Sequence, residues 1–318
     1  MSINQGGGTV NLNAGYFTGN DSYFSEIDIK ELDLHNFMPA DSLFGITANI
    51  SAHGKGLDFT SPETDVNLSA AISHFQYAKH VFSGVNLNAY LKQQKAKVEL
   101  NINDNIIDIN ANINAGITPQ KIQAELETEI KRFDLYEMGI AANRLKLSSK
   151  FNASMSTDMD KRHSLKASVN NIRIITPQKT IPTKDLNFGV TMAEDSLRSY
   201  INSGDMTMLF RTTSGIDKVI ESFSNISELI TKQWEEREID LDSIKSLLPQ
   251  MELGLFARND NPFANLLETK NIRFNRLYTK FSTSPEGGFN GSAYLYNLRT
   301  DSLQLDTIYF NSKQDSAQ

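Results

Sequence analysis

The 318-residue chain carries five histidines, His35, His53, His74, His80 and His163, and no cysteine. No two histidines stand at the His-x-His or His-Glu-x-x-His spacing that turns a pair of imidazoles onto one metal. Without thiols there is no disulfide framework, no Cys-ligated zinc and no thiol nucleophile. Asn103-Asp104-Asn105 has the oxygen ligands with which a calcium loop begins, but the further ligands and the glycine of such a loop do not follow. A hairpin turn accounts for the triplet. Gly6-Gly7-Gly8 lacks the strand-to-helix setting of a phosphate loop, and the many Ser and Thr residues form no nucleophile elbow. Nothing here assembles a catalytic site. The expectation is a protein that is not an enzyme and has no cofactor or metal.

The chemistry that remains is that of apolar surface, and the elements that would build it are strands. In "KVELNINDNIIDINANINAGI", residues 97–117, apolar and polar residues alternate. The apolar phase is even before residue 103 and odd after residue 106. A two-residue loop at Asp104-Asn105, with the positive φ that Asp and Asn tolerate, would set Ile102 opposite Ile107, Leu100 opposite Ile109 and Val98 opposite Ala111. Opposed side chains of an antiparallel pair share a face, so the flip keeps the apolar set together. The same arithmetic places Leu87, Ala89 and Leu91 against Ile102, Leu100 and Val98 through a turn at Gln94-Lys95. It also places Ala115, Ile113 and Ala111 against Ile122, Ala124 and Leu126 through Thr118-Pro119. Four strands form a meander with one aliphatic face and a reverse face rich in Asn.

Alternation extends through most of the chain: Val10 to Ala14, Ile27 to Leu34 with a bulge predicted at Lys30-Glu31, 45–60, 66–77, Leu145 to Met155, Leu165 to Ile174 with a phase shift at Asn170-Asn171, Leu186 to Met192, and Met206 to Phe210. Residues 133–143 read as a turn or short helical link. From Ser214, a predicted N-cap, Ile216, Val219, Ile220, Phe223, Ile226, Ile230 and Trp234 follow helical spacing to about Arg237. A second helix is predicted from Leu241 to Leu248, before Pro249, and a short one opening at Pro262. Strands resume at Leu253/Leu255, Ile272/Phe274, Phe289–Leu295 and Leu303–Phe310. The reading is a mainly β chain, a long antiparallel meander curled into a U-shaped, apolar-lined groove. It would have one long amphipathic helix and short helices in its C-terminal third. The expected division is 1–212 as β-groove, 213–250 as helical insertion and 251–318 as further groove strands.

Hydrophobic residues at 39% and charged residues at 22% suit a folded protein. The net charge of −7 lacks the basic stripe of a nucleic-acid binder. No apolar run reaches the roughly 20 residues of a membrane helix, and "MSINQGGGTV" is not a signal peptide. Work outside the cytoplasm would require this chain to be part of something longer.

A face of this kind has several uses. Two of them can seal against each other in a sandwich or barrel core, about 10 Å apart. Four strands about 4.8 Å apart and some 20 Å long already present on the order of 400 Å², about the limit for an uncovered patch on a soluble monomer. The face must therefore curl on itself, meet another protein or hold lipid. An outer-membrane barrel would put it outward between aromatic girdles and has little use for a long helix between strands.

The runs "HFQYAKHVFSGVNLNAYLKQQKAKVELNINDNIIDINANI" (74–113), "SGDMTMLF" (203–210), "LLPQMELGLFARNDNPFANLL" (247–267) and "GFNGSAYLYNLRTDSLQLDTIYF" (288–310) resemble the TamB/AsmA-like family of Gram-negative bacteria, the translocation and assembly module proteins. The resemblance implies an inner-membrane anchor outside these residues and a long periplasmic β-groove. It also implies support of phospholipid transport between inner and outer membrane, and contact with an outer-membrane barrel protein through flanking regions. On that reading the partners are phospholipid acyl chains and not nucleic acid. The lining would be Val85, Leu87, Ala89, Val98, Leu100, Ile102, Ile107, Ile109, Ala111, Ile113, Ile122, Ala124 and Leu126, with Phe188 and Val190. The alternative is a scaffold that lends sheet edges to incoming strands during outer-membrane protein assembly or secretion. An adhesin-like β-repeat would bind no lipid at all. The helix stripe from Ser214 is expected to pack on the sheet or plug an open end. Its excess of Glu over Lys speaks against a basic, lipid-seeking face.

Overall fold

A computed structural model describes residues 2–5, 7–36, 43–77 and 80–314. Its residues cluster into two compact units, Met1–Ser156 with Asn171–Pro182, and Thr157–Asn170 with Thr183–Gln318.

The first unit is a run of antiparallel strands: β1 (Ser2–Gln5), β2 (Gly8–Phe17), β3 (Ser22–Asp33), β4 (Leu43–Lys55), β5 (Asp65–Tyr77), β6 (His80–Phe82), β7 (Val85–Lys92), β8 (Lys95–Asn103), β9 (Ile107–Thr118), β10 (Lys121–Asp134) and β11 (Lys146–Thr157). From β1 to β10 each pairs with its sequence neighbour, except that β6 and β7 share β5 as partner. Gly84 lies between those two at φ 66, a left-handed step that glycine takes without a Cβ penalty. The predicted bulge is present: the β3–β4 register shifts between Ile29 and Leu32, and Glu31 adopts φ 46.

The three predicted hairpin registers are each displaced by two residues. Ile102 faces Ile109, Leu100 faces Ala111 and Val98 faces Ile113. Val85, Leu87 and Ala89 face Ile102, Leu100 and Val98, and Leu126, Ala124 and Ile122 face Ile113, Ala115 and Ile117. The turns explain the displacement. Gln93 and Gln94, at φ 50 and 62, make the mirror-image turn between Lys92 and Lys95. The next turn centres on Asn105-Ile106, where the Asp104 N–H donates to the Ile107 carbonyl at 2.8 Å. Neither Asp104 nor Asn105 is among the residues of positive φ, against expectation. The Asp104 carboxylate instead accepts from the Ile106 N–H at 2.8 Å and from the Ser83 N–H at 3.1 Å, so it sets the turn from its side chain. A two-residue slip moves partners along the strand but keeps every side chain on its face, so the face composition is unchanged.

After β10, turns occupy residues 135–141, anchored by Asp134. Its carboxylate accepts from the Glu137 N–H at 3.1 Å and pairs with Lys146 at 3.0 Å. Burial pushes this carboxyl up, but the Glu137 and Tyr136 N–H groups and Lys146 outweigh it and hold it below its ordinary value. A depressed carboxyl contributes stability that is full above its unfolded-state pKa and is lost as pH falls through the folded one. The amide protection factors of residues 134–146, taken relative to the intrinsic rate at each pH, should therefore fall on acidification in the wild type. In Asp134→Asn they should be low already at neutral pH and show no such dependence.

The second unit holds β12 (His163–Ile175) up to Asn170, then β14 (Leu186–Ala193), β15 (Ser196–Ser203), β16 (Met206–Thr212), β17 (Met251–Ala257), β18 (Arg276–Ser284), β19 (Gly288–Arg299) and β20 (Gln304–Ser312). Consecutive members pair antiparallel. β12 changes partner at the predicted phase shift: 163–169 pair with β14, whereas 173–175 pair with β13 (Thr180–Pro182) of the first unit. Asn171, between them, has φ 54. Ile272 and Phe274 were expected in a strand; only an isolated bridge between Arg273 and Arg299 occurs there. The strand is β18, just downstream.

Helices enter between the strands. α1 (Ile216–Glu236) is capped by Gly215 without a side-chain bond, not by Ser214, and ends at Arg237 in the left-handed conformation. α2 (Leu241–Ser246) is two residues shorter than predicted, with Asp240 capping two N–H groups. α3 (Pro262–Glu268) opens at its proline as expected. Its cap, Asn261, is fully buried: the side chain accepts from Ala264 N–H at 2.9 Å and donates to Asp205 at 2.8 Å. α3 and Phe274 close over one end of β16–β19, where Met206, Leu277 and Leu295 pack on Ala257, Ala264 and Phe274. This is the sealed hydrophobic knot of the second unit.

Candidate functional site

The registers assemble the aliphatic residues into rows crossing the first unit. One row reads Val10, Ile29, Ala48, Ile72, Val85, Ile102, Ile109, Ile130. The next reads Leu12, Ile27, Ile50, Ala70, Leu87, Leu100, Ala111, Thr128, and a third ends in Leu68, Ala89, Val98, Ile113, Leu126. Thirteen of the fifteen predicted lining residues, Val85 to Leu126, share this face. Sequence reasoning stopped the lining at Val85, yet the face extends through β5, β4 and β3 to β2. The signal was present in the alternation there. The bulge at Ile29–Leu32 and the shifts between Leu43 and Ala48 break its phase and hid the continuity.

Phe188 and Val190 lie in the second unit. They face Ile201 and Ser199 on one side and Ala167 and Leu165 on the other, on the face that carries Met208 and Phe210.

The rows on the reverse face of the first unit are polar: Asn11, Asp28, Asn49, Ala71, Asn86, Asn101, Asn110 and Glu129 make one. Asn101 donates to Asn110 across the strands. Small residues, Ser51, Ser69 and Ala71, sit between longer Asn, Asp and Glu and leave a hollow of about 720 Å³ on this polar side. Leu12, Ile27, Ile50 and Ala70 of the second aliphatic row complete its lining. The reverse face of the second unit is different again. Phe256, Tyr278, Tyr294 and Tyr309 line up across β17–β20, with Tyr294 and Tyr309 ring centroids 4.6 Å apart.

All fifteen predicted lining residues are half-buried: none is sealed, none is fully exposed. The second unit provides the internal comparison. Where α3 covers the apolar face, Ala257 is 0% and Phe274 5% exposed. Every described element of the first unit is a ladder strand, a turn or the 3-10 turn Leu34–Asn36, so among the described residues no longer helix lies over its aliphatic face, on which Ala48 and Leu91 are sealed, at 1% and 7% exposure.

Polar chemistry stays dispersed. Among the described residues, no group of three or more His, Asp or Glu gathers where it could hold a metal. His163 Nδ1 lies 2.7 Å from Thr157 Oγ1, and His35 and His80 lean on Phe44 and Phe82. Among the described residues no helix is long and apolar enough to cross a membrane. No protein-family model, curated protein or solved structure matches the chain, so the site stands on its own geometry: a broad aliphatic sheet face, without an α-helix over it among the described residues, backed by amides.

Proposed function

We propose that the chain is a segment of a lipid conduit, an envelope protein whose hydrophobic β-groove supports phospholipid movement through the periplasm between inner and outer membrane. It would be a binding protein without catalytic chemistry. One observation carries the reading: the aliphatic rows run across eight strands, half-buried apart from the sealed Ala48, with no α-helix over them among the described residues. Each methylene kept from water is worth about 0.8 kcal/mol, so a 16-carbon chain carried bare through water costs on the order of 12 kcal/mol. Ile, Val, Leu and Ala form a wall without polar stops, against which an acyl chain can slide while no single position holds it. The Asn-rich reverse keeps the other side of the sheet wetted.

Protein purified without detergent should therefore yield diacyl phospholipid on organic extraction and mass spectrometry, near or above one lipid per chain. A lipid-free extract from folded protein would overturn the proposal. A second reading, the β-augmentation scaffold, draws on β20, which among the described residues pairs along β19 only and exposes Ile308, Tyr309 and Phe310. That function depends on free backbone groups and is indifferent to charge on the aliphatic face.

A further inference from the structure

Helix α1 does not pack as its sequence predicted. Val219, Ile226 and Gln233, seven residues apart, are its buried line. Ile216, Ile220, Phe223, Ile230 and Trp234 stand exposed beside it, Ile220 at 62% and Trp234 at 79%. At 100° per residue these five fall within about 40° of one line along the helix. The C-terminal end of the buried line is tied to the cap of α2: Gln233 donates to the Asp240 carbonyl at 3.3 Å and accepts from its N–H at 3.0 Å. The stripe beside it faces outward.

We infer that this stripe docks the second unit onto a zwitterionic lipid surface, with the five side chains among the outermost acyl carbons and Trp234 at the headgroup boundary. Area and charge select this occupant. Twenty-one residues make a helix about 31 Å long, and a stripe some 10 Å wide offers about 300 Å². A second copy of the chain or a globular partner needs about 800 Å² per side. A bilayer needs no minimum and no shape match, and aromatic rings such as Trp favour its interface. Asp217, Glu221, Glu228, Glu235 and Glu236 against Lys218 and Lys232 leave the helix at −3, which anionic headgroups repel. The surface it fits is neutral overall. This docking is independent of whether the sheet face carries lipid.

Trp234 is the sole tryptophan of the chain, so its emission reports the stripe directly. Phosphatidylcholine vesicles should shift that emission to the blue and shield it from an aqueous quencher. Vesicles half phosphatidylglycerol should do so less, with the deficit closing as salt is added. Ile220→Glu with Ile230→Glu keeps the reporter and should weaken vesicle binding about tenfold or more. Glu228→Gln with Glu235→Gln leaves the apolar stripe untouched and should raise binding to the phosphatidylglycerol vesicles towards the phosphatidylcholine level. Three outcomes overturn the inference. They are emission unmoved by phosphatidylcholine, preference of the wild type for phosphatidylglycerol, and shielding without vesicles that grows with protein concentration as the mass doubles, which would assign the stripe to a second copy.

Discussion

Leu100→Asp combined with Ile109→Asp is expected to empty the aliphatic face of lipid while the strands stay folded. The two positions are diagonal neighbours, Leu100 facing Ala111 and Ile102 facing Ile109, so an acyl chain crossing β8 and β9 meets both carboxylates. Each costs about 2.5–3.5 kcal/mol in a hydrocarbon setting. Together they disfavour a chain at that point by about 5 kcal/mol, on the order of a thousandfold in local occupancy. The cost to the fold is smaller, roughly 1–2 kcal/mol in lost cross-strand contacts, because neither side chain is sealed in the wild type. Asn101→Asp with Asn110→Asp is the matched control. It adds the same two charges to the same strands, at a directly opposed pair on the reverse face. Lipid content by mass spectrometry should collapse in the first variant and stay at the wild-type level in the second. Equal lipid in both would end the conduit reading. If the client of this sheet is instead an incoming strand, both variants should retain outer-membrane protein assembly.

Phe274→Ala is expected to produce the largest loss of stability, about 3–5 kcal/mol, and to confine it to the second unit. Its ring is 5% exposed and packs with Ala257 and Ala264, 6.2 Å from the Phe263 ring. Ala257 and Ala264 have no side chain long enough to fill the void, and Ala264 sits on a helix pinned by the buried Asn261. A ladder in which each strand touches only its neighbours transmits such damage poorly. Amide exchange should therefore accelerate in residues 262–283 and leave β7–β9 at wild-type rates. Uniform destabilisation of both units would contradict that picture of locally supported strands.

The ladder was legible because strand periodicity is written in residue types. Alternation marked β7 to β10, and the phase change at 103–106 marked a reversal. Proline marked the start of α3, and the Lys30-Glu31 irregularity marked the bulge. Registers were read two residues out in all three hairpins. Turn position depends on backbone geometry that local sequence constrains weakly: Gln93-Gln94 took positive φ without glycine or asparagine, while Asp104-Asn105 declined it. Strand β18 was missed because Arg276–Ser284 mixes Leu277, Tyr278 and Phe281 with polar residues on both faces, leaving no clean period of two.

Residue order alone decided which side chains share a face in the first unit, since a displacement of two residues cannot move a side chain across the pleat. It could not decide what covers that face. Burial is set by which elements return to pack, and those contacts are long-range: α3 folds over β16–β19, whereas the described residues of the first unit include no α-helix to fold over β2–β10. The same holds for α1. Its spacing specified an amphipathic helix, but only the folded chain shows that the line of Val219, Ile226 and Gln233 turns inward and leaves Trp234 and its neighbours facing outward.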